Sequence, residues 1–332
     1  MRGDFSKMAI MRIRYRLRSQ FFHELGQLLR SGEGVAGSLE VLGRGRTGGG
    51  LARVIAEELA RGSSLSQAFR VVGFPEEDCA ILDAGAETGR LEEICARLSE
   101  YYARMADARA AVLSRSLYPV VVLHLAIILL AIPTALLTGG NAWISSFLAL
   151  GAFYGATVLV FAGTASLSQA LKRHASVCVG VLRVPGLGLW FRTRSNARFA
   201  RVFSLFVRSG TGVLRGLATA GNSSGSALIA QSAREIVEAV RGGSSLGDAV
   251  TGRPGLADEI ERAIRVGDHS GRLDEESLRA AETLENRFLA LLSLLAEWLP
   301  RILYAVMVFY VGWRIISTAL QIGDAMGNLL EP

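Results

Sequence analysis

Between Arg115 and Lys172 the chain carries no Lys, Arg, Asp or Glu. A bilayer core about 30 Å thick takes roughly 20 apolar residues per helical crossing, so this run is long enough for two crossings and a turn. Gly139-Gly140-Asn141 supplies the turn, because Gly and Asn tolerate the positive φ angles that reverse a chain. We expect a first span over residues 117–137 and a second over 142–165. A pair of soluble helices would keep a charged, solvated face, and this pair has none. A third apolar stretch, residues 299–322, is interrupted by Arg314. The long stem of such an arginine can snorkel to the headgroups or face a partner inside the bundle.

The charge distribution orients these spans. The formal net charge is +6, yet there is no Asp or Glu between Ala108 and Arg234. Lys172, Arg173, Arg183, Arg192, Arg194 and Arg198 follow the second span directly, and the opening arm carries Arg2, Lys7, Arg12, Arg14, Arg16 and Arg18 against Asp4 alone. Basic residues beside a span mark the cytoplasmic side and suit anionic headgroups, so lipid is favoured over nucleic acid as their partner. The arm lacks an apolar core and does not read as a cleaved signal peptide. Three spans put the termini on opposite sides. The acidic tail with Asp324 and Glu331 then falls in the periplasm. Cys79, Cys95 and Cys178 form no C-x-x-C pair and read as plain buried thiols.

Apolar positions Phe21, Phe22, Leu25, Leu28 and Leu29 recur with helical period, and Gly32 stops that first helix. A second helix follows from Val35, a third runs through Leu51, Val54, Ile55 and Leu59, and Ser64 with Gln67 makes a capping box for a fourth. Pro75 opens a fifth. A sixth begins near Gly89 and leads toward Pro119 at the membrane edge. No stretch sustains strand alternation, so the fold class is all-α. The same plan then restarts: LLRSGEGV at 28–35 returns as FVRSGTGV at 206–213, GSSLSQAF at 62–69 as GSSLGDAV at 243–250, and AGAETGRLEE at 84–93 as VGDHSGRLDE at 266–275. The offsets are 178, 181 and 182 residues, so the copies are collinear. The expected organisation is a basic arm (1–18), a first cytoplasmic helical bundle of about six helices (19–116), two spans, a basic linker (166–196), a second such bundle (197–298), a third span (299–322) and a periplasmic tail (323–332).

The candidate site is the motif pair Gly85, Glu87, Gly89, Arg90 and Gly267, Asp268, Gly271, Arg272. It reads first as a helix–helix junction, in which the first glycine closes helix five in a left-handed turn. Thr88 or Ser270 would cap the next helix, and the acids that follow suit the positive end of its dipole. A functional reading adds a partner protein or a cation at Glu87 and Asp268. The two acids stand one position apart in their motifs, which argues against a shared metal site. GRGRTGGG at 43–50 lacks the Lys-Ser/Thr of a phosphate loop and reads as a flexible loop. No histidine spacing suits a metal, no serine sits in G-x-S-x-G, and nothing points to catalysis or a cofactor. His124 is an intramembrane polar group expected to bond a neighbouring helix.

These residues resemble the type II secretion system F-domain family, the inner-membrane platform proteins of type II secretion and type IV pilus assembly. The resemblance rests on LLRSGEGV and FVRSGTGV, the GSSL turns, G-x-E-x-G-R-L and G-D-x-S-G-R-L, and Tyr118-Pro119, and it covers roughly residues 20–322. The family motif is usually G-E-x-x-G; copy two keeps an acid in its first acidic position at Asp268, whereas copy one has Ala86 there. Family members often carry a longer segment before the first repeat. The resemblance implies two cytoplasmic six-helix bundles, three spans, and no enzymatic activity. It also implies partners: a cytoplasmic assembly ATPase, other inner-membrane assembly proteins, and pilin or pseudopilin subunits. Apolar residues exposed on the cytoplasmic bundles would separately favour a homo-oligomer, a dimer or larger ring. A small repeat-built transporter or channel is the alternative. It calls for more polar residues in the spans than His124 and Arg314.

Overall fold

The computed structural model describes residues 15–45, 48–138, 151, 154–155, 158–159, 162–164, 166–184 and 186–330. Every regular element among these residues is helical. The Gly139-Gly140-Asn141 turn, most of the second expected span, residues 1–14 of the arm, the side chain of Arg314 and the last two residues lie outside the described ones.

The helices run in two successions. The first comprises α1 (Tyr15–Arg30), α2 (Val35–Arg44), α3 (Gly49–Ala60), α4 (Leu65–Val71), α5 (Glu76–Thr88) and α6 (Leu91–Thr138). After α7 (Ala175–Leu182) the second comprises α8 (Leu187–Ser209), α9 (Val213–Ser223), α10 (Ala227–Arg241), α11 (Leu246–Val250), α12 (Asp258–Ser270) and α13 (Leu273–Leu330). Local chemistry repeats with them. The Ser64 hydroxyl accepts from the Gln67 N–H at 3.3 Å while the Gln67 side chain accepts from the Ser64 N–H at 3.0 Å, closing the capping box on α4. Ser245 caps α11 with half of that box, its hydroxyl accepting from the Asp248 N–H at 3.0 Å. Residues 166–196, expected as a linker, are largely helical, with Cys178 of α7 fully buried.

The chain divides into two compact units. The first joins Met1–Asp107 with Gln169–Ala290 and therefore holds both helix successions up to the early turns of α6 and α13. Its core is continuous. In the first succession Phe21, Phe22, Phe69, Phe74 and Tyr102 pack ring against ring, with centroids 5.2–6.2 Å apart. Burying each such side chain contributes about 1.5–3 kcal/mol. In the second succession α8 is covered on nearly every face from Ser195 to Phe206, which makes it a central rather than a surface helix.

The second unit joins Ala108–Ser168 with Leu291–Pro332. Within it α13 presents Ile302, Val306, Phe309, Trp313 and Ile316 as exposed side chains. Over Leu273–Ser317 it is long and apolar enough to cross a membrane, the one such helix among the described residues. α6 continues through Pro119, and α13 through Pro300, so neither proline breaks its helix.

Candidate functional site

Both motifs form helix–helix junctions, but their glycines divide the work differently from the expectation. The second glycine, not the first, takes the left-handed turn: Gly89 has φ 73° and Gly271 φ 70°. The Gly89 N–H donates to the Ala86 carbonyl at 3.4 Å and the Arg90 N–H to the Gly85 carbonyl at 2.9 Å, the paired bonds of a Schellman end. Gly85 and Gly267 are buried inside α5 and α12. A methyl group on Gly85 would sit 2.4 Å from Ile94 Cδ1, and one on Gly267 2.7 Å from Leu273 Cα. They are glycines because the next helix crosses closely there. Thr88 does not cap α6; its hydroxyl donates back to the Ala84 carbonyl at 2.9 Å. The Ser270 hydroxyl accepts from the Arg272 N–H at 3.4 Å.

The charged members of the two motifs have different fates. Glu87 pairs with Arg215 of α9 at 2.8 Å, and the Arg90 guanidinium donates to the Arg208 carbonyl at the end of α8. Copy one's junction therefore docks on the opening helices of copy two. Asp268 stays within its own succession, accepting from the Gly247 N–H at 2.9 Å, and Arg272 is exposed. Glu87 and Asp268 thus share no partner. Among the described residues no group of three or more His, Cys, Asp or Glu side chains is placed to hold a metal ion. In the other unit, His124 bonds the Val120 carbonyl at 2.7 Å and the Tyr154 hydroxyl at 2.6 Å.

Glu87–Arg215 is the rim of a larger seam that motif reading missed. Glu77 pairs with Arg198, Glu93 with Arg208, Arg97 with Glu282 at 3.4 Å and Arg104 with Glu285 at 3.3 Å. At the centre Asp78, fully buried, lies 3.5 Å from Arg201, which is 7% exposed. The Tyr102 hydroxyl donates to Asp78, Arg18 donates to that hydroxyl at 3.1 Å, and the Arg201 guanidinium stacks 3.8 Å from the centre of the Tyr101 ring. Burial raises the Asp78 carboxyl above its ordinary range, against the lowering pull of Arg201 and the Tyr102 hydroxyl. Glu285 is raised for the same reason. Burial also acts to raise Glu77, but Arg198, the backbone and Arg201 outweigh it and hold that carboxyl below its usual value. The one sequence signal for this centre was Arg201, a cation set between Phe199 and Phe203 on a helix otherwise rich in apolar residues. The cysteines are thiols in apolar surroundings: all three are buried and unpaired, and burial pushes Cys79 up to about 12.

The sequence model of the family described as type II secretion system (T2SS), protein F, matches residues 21–139 and again residues 199–320. The chain belongs to this family. Its similarity to type II secretion system protein F of Pseudomonas aeruginosa is 25% identity over 303 residues, covering 82% of this chain and 74% of that one. To type IV pilus assembly protein PilC of the same species it is 21% identical over 336 residues, covering 92% and 90%. To type IV pilus assembly protein TapC of Aeromonas hydrophila it is 22% identical, covering 92% and 81%. The protein F match begins in α1 in one stretch and in α8 in the other, so each contains one copy of the junction motif. Residues 140–198, with α7 and the basic run after the uncharged stretch, lie outside both.

Proposed function

We propose that the chain is a non-enzymatic inner-membrane platform of a type II secretion or type IV pilus assembly machine. In this reading it couples a cytoplasmic assembly ATPase to the addition of pilin or pseudopilin subunits. The observation that carries the reading is the seam: two copies of one family unit, joined by a buried Asp78–Arg201 pair and a rim of ion pairs, make one body rather than two loosely tethered ones. Such a body can pass on a force applied at one face. Relatives named for type II secretion and for type IV pilus assembly support the machine class.

The topology we propose has three spans, residues 117–137, 142–165 and 299–322, with both helical repeats in the cytoplasm and the C-terminus in the periplasm. The exposed apolar face of α13 and the acid-free stretch from Ala108 to Arg234 support it. α6 and α13 each begin at a junction motif and continue into the apolar segments. A helix transmits displacement without unfolding, so these two are the proposed levers.

Two experiments test this. Purification of the tagged chain from its native membrane in mild detergent should co-isolate a hexameric ATPase and pilin-like subunits by mass spectrometry. Reproducible recovery of neither, under conditions that preserve another membrane complex, would favour the transporter reading and make Arg314 the next residue to change. Inserting two glycines after Ala108 should abolish assembly while leaving membrane insertion intact; normal assembly would refute the lever.

A further inference from the structure

A cavity of about 510 Å³ in the first unit is walled by Lys172, Arg173, Arg198 and Arg234, with Asn222 beside them. That volume lies within the roughly 300–1,000 Å³ of ligand clefts. Two carboxylates also line it, but both are committed: Glu76 pairs with Arg70 at 2.5 Å, and Glu77 with Arg198. The side chains of Lys172, Arg173 and Arg234 make no ion pair or hydrogen bond among the described residues, and all three are exposed. Three uncompensated cations around one concavity raise its potential and favour an anion there. Elsewhere in this unit the arginines of the seam are matched with carboxylates. This cavity departs from that pattern.

The chain also indicates what kind of anion. Lys172 and Arg173 are the first charges after the run that ends at Leu171, so they emerge where an apolar segment leaves the bilayer. The headgroup of an anionic phospholipid lies at that level. Three of the four cations, Lys172, Arg173 and Arg198, stand in the stretch that neither family match covers. We infer that the cavity between α5, the helix that ends at Arg173, α8 and α10 is a binding site for a phosphate group, and that its occupant is the headgroup of an anionic phospholipid. The lipid assignment rests on the membrane reading above. The phosphate assignment rests on the cavity alone. Arg and Lys suit the ligand because charge-assisted N–H bonds to phosphate oxygens are about twice as strong as neutral ones.

The test uses the full-length protein in detergent, exchanged with equal amounts of phosphatidylglycerol and phosphatidylcholine and examined by native mass spectrometry. The wild type should retain phosphatidylglycerol about tenfold over phosphatidylcholine. Basic residues near an anionic surface add to affinity one by one, so K172Q/R173Q/R234Q should lower the affinity for phosphatidylglycerol about 100-fold. The charge-keeping variant K172R/R173K/R234K should hold most of it. R44Q/R241Q/R262Q, which removes three exposed charges elsewhere, should match the wild type.

A second arm titrates inorganic phosphate against chloride at constant ionic strength. Displacement of phosphatidylglycerol by phosphate, together with thermal stabilisation lost in the neutralised variant, would support the anion site while assigning it to a soluble phosphate. Absence of any phosphatidylglycerol preference and any phosphate effect would overturn the proposal. So would equal lipid retention by the neutralised variant, with circular dichroism showing that it is folded. Extraction of the native protein by alkaline carbonate would count against the membrane reading, and the phosphate arm would still report on the cavity.

Discussion

The two helix successions read alike in local chemistry and differ where each meets the other. Both end their fifth helix on a left-handed glycine, both cap the fourth with a serine, and both bury a glycine where the sixth crosses. Yet the position that holds buried Asp78 in α5 holds buried Ile260 in α12, and the one that holds Tyr102 holds Leu284. Arg201 of α8, almost wholly buried, stands where α1 has the exposed His23. Local signals persist because each works within a few residues of its own helix end. Seam residues diverge because α5 faces α8, whereas among the described residues α12 makes no such pairing with a buried arginine of the other copy.

Forcing the copies to match tests that contrast most severely. I260D would bury a carboxylate with no arginine opposite and should cost about 3–5 kcal/mol or prevent folding, read as a fall in the urea midpoint of the detergent-purified chain. Conversely, D78I and R201M should each be costly, by about 3–5 kcal/mol, because each leaves one charge buried without its partner. The double variant D78I/R201M, which makes the centre apolar as in copy two, should recover most of that loss. Additive losses would mean that Asp78 and Arg201 are not an energetic pair.

Smaller effects sharpen the comparison. G267A should destabilise by about 1–3 kcal/mol, because the added methyl meets Leu273 backbone at 2.7 Å. G85A should cost less, since its closest contact is the mobile end of Ile94. G89A and G271A, with open space around both, should cost the same about 1–2 kcal/mol of left-handed strain. Different losses at those two positions would show that the junctions are not equivalent. E87Q should change stability by under about 1 kcal/mol, because its pair with Arg215 is half in solvent.

Acid titration separates two seam carboxylates by sign. The folded pKa of Glu77 is depressed below the ordinary 4.5, so its stabilisation is present above that value and lost as pH falls through the folded pKa. E77Q should therefore flatten the loss of stability below about pH 4.5. Asp78 is raised above the ordinary 3.8, so it favours folding in its protonated form, fully below that value, and less as pH rises through the folded pKa. D78N should steepen the acid-side loss. The same slope in both variants would contradict the opposed environments.

Much of the architecture was legible without coordinates. Helical periodicity, the Ser64–Gln67 box, the stop glycines and the collinear repeats are signals spanning a few residues or a constant offset. The junction motifs were legible too, but their inner logic was not. Which glycine turns and which makes room depends on where the following helix crosses, and G-x-x-x-G does not state that. The buried centre left no trace beyond Arg201 among its phenylalanines, because its members lie far apart: Tyr102 is 24 residues from Asp78, and Arg201 is 123.

The amino-acid sequence by itself determined the helical class, the duplicated order of helices and the apolar segments, because backbone propensity, capping and hydropathy act over one helix or less. The tertiary structure decided which acid met which arginine, why copy one's motif docks on copy two while copy two's does not reciprocate, and that three cations after the apolar run close on one cavity. Those outcomes follow from packing two similar but unequal surfaces together, where burial makes a charge depend on the one partner that reaches it.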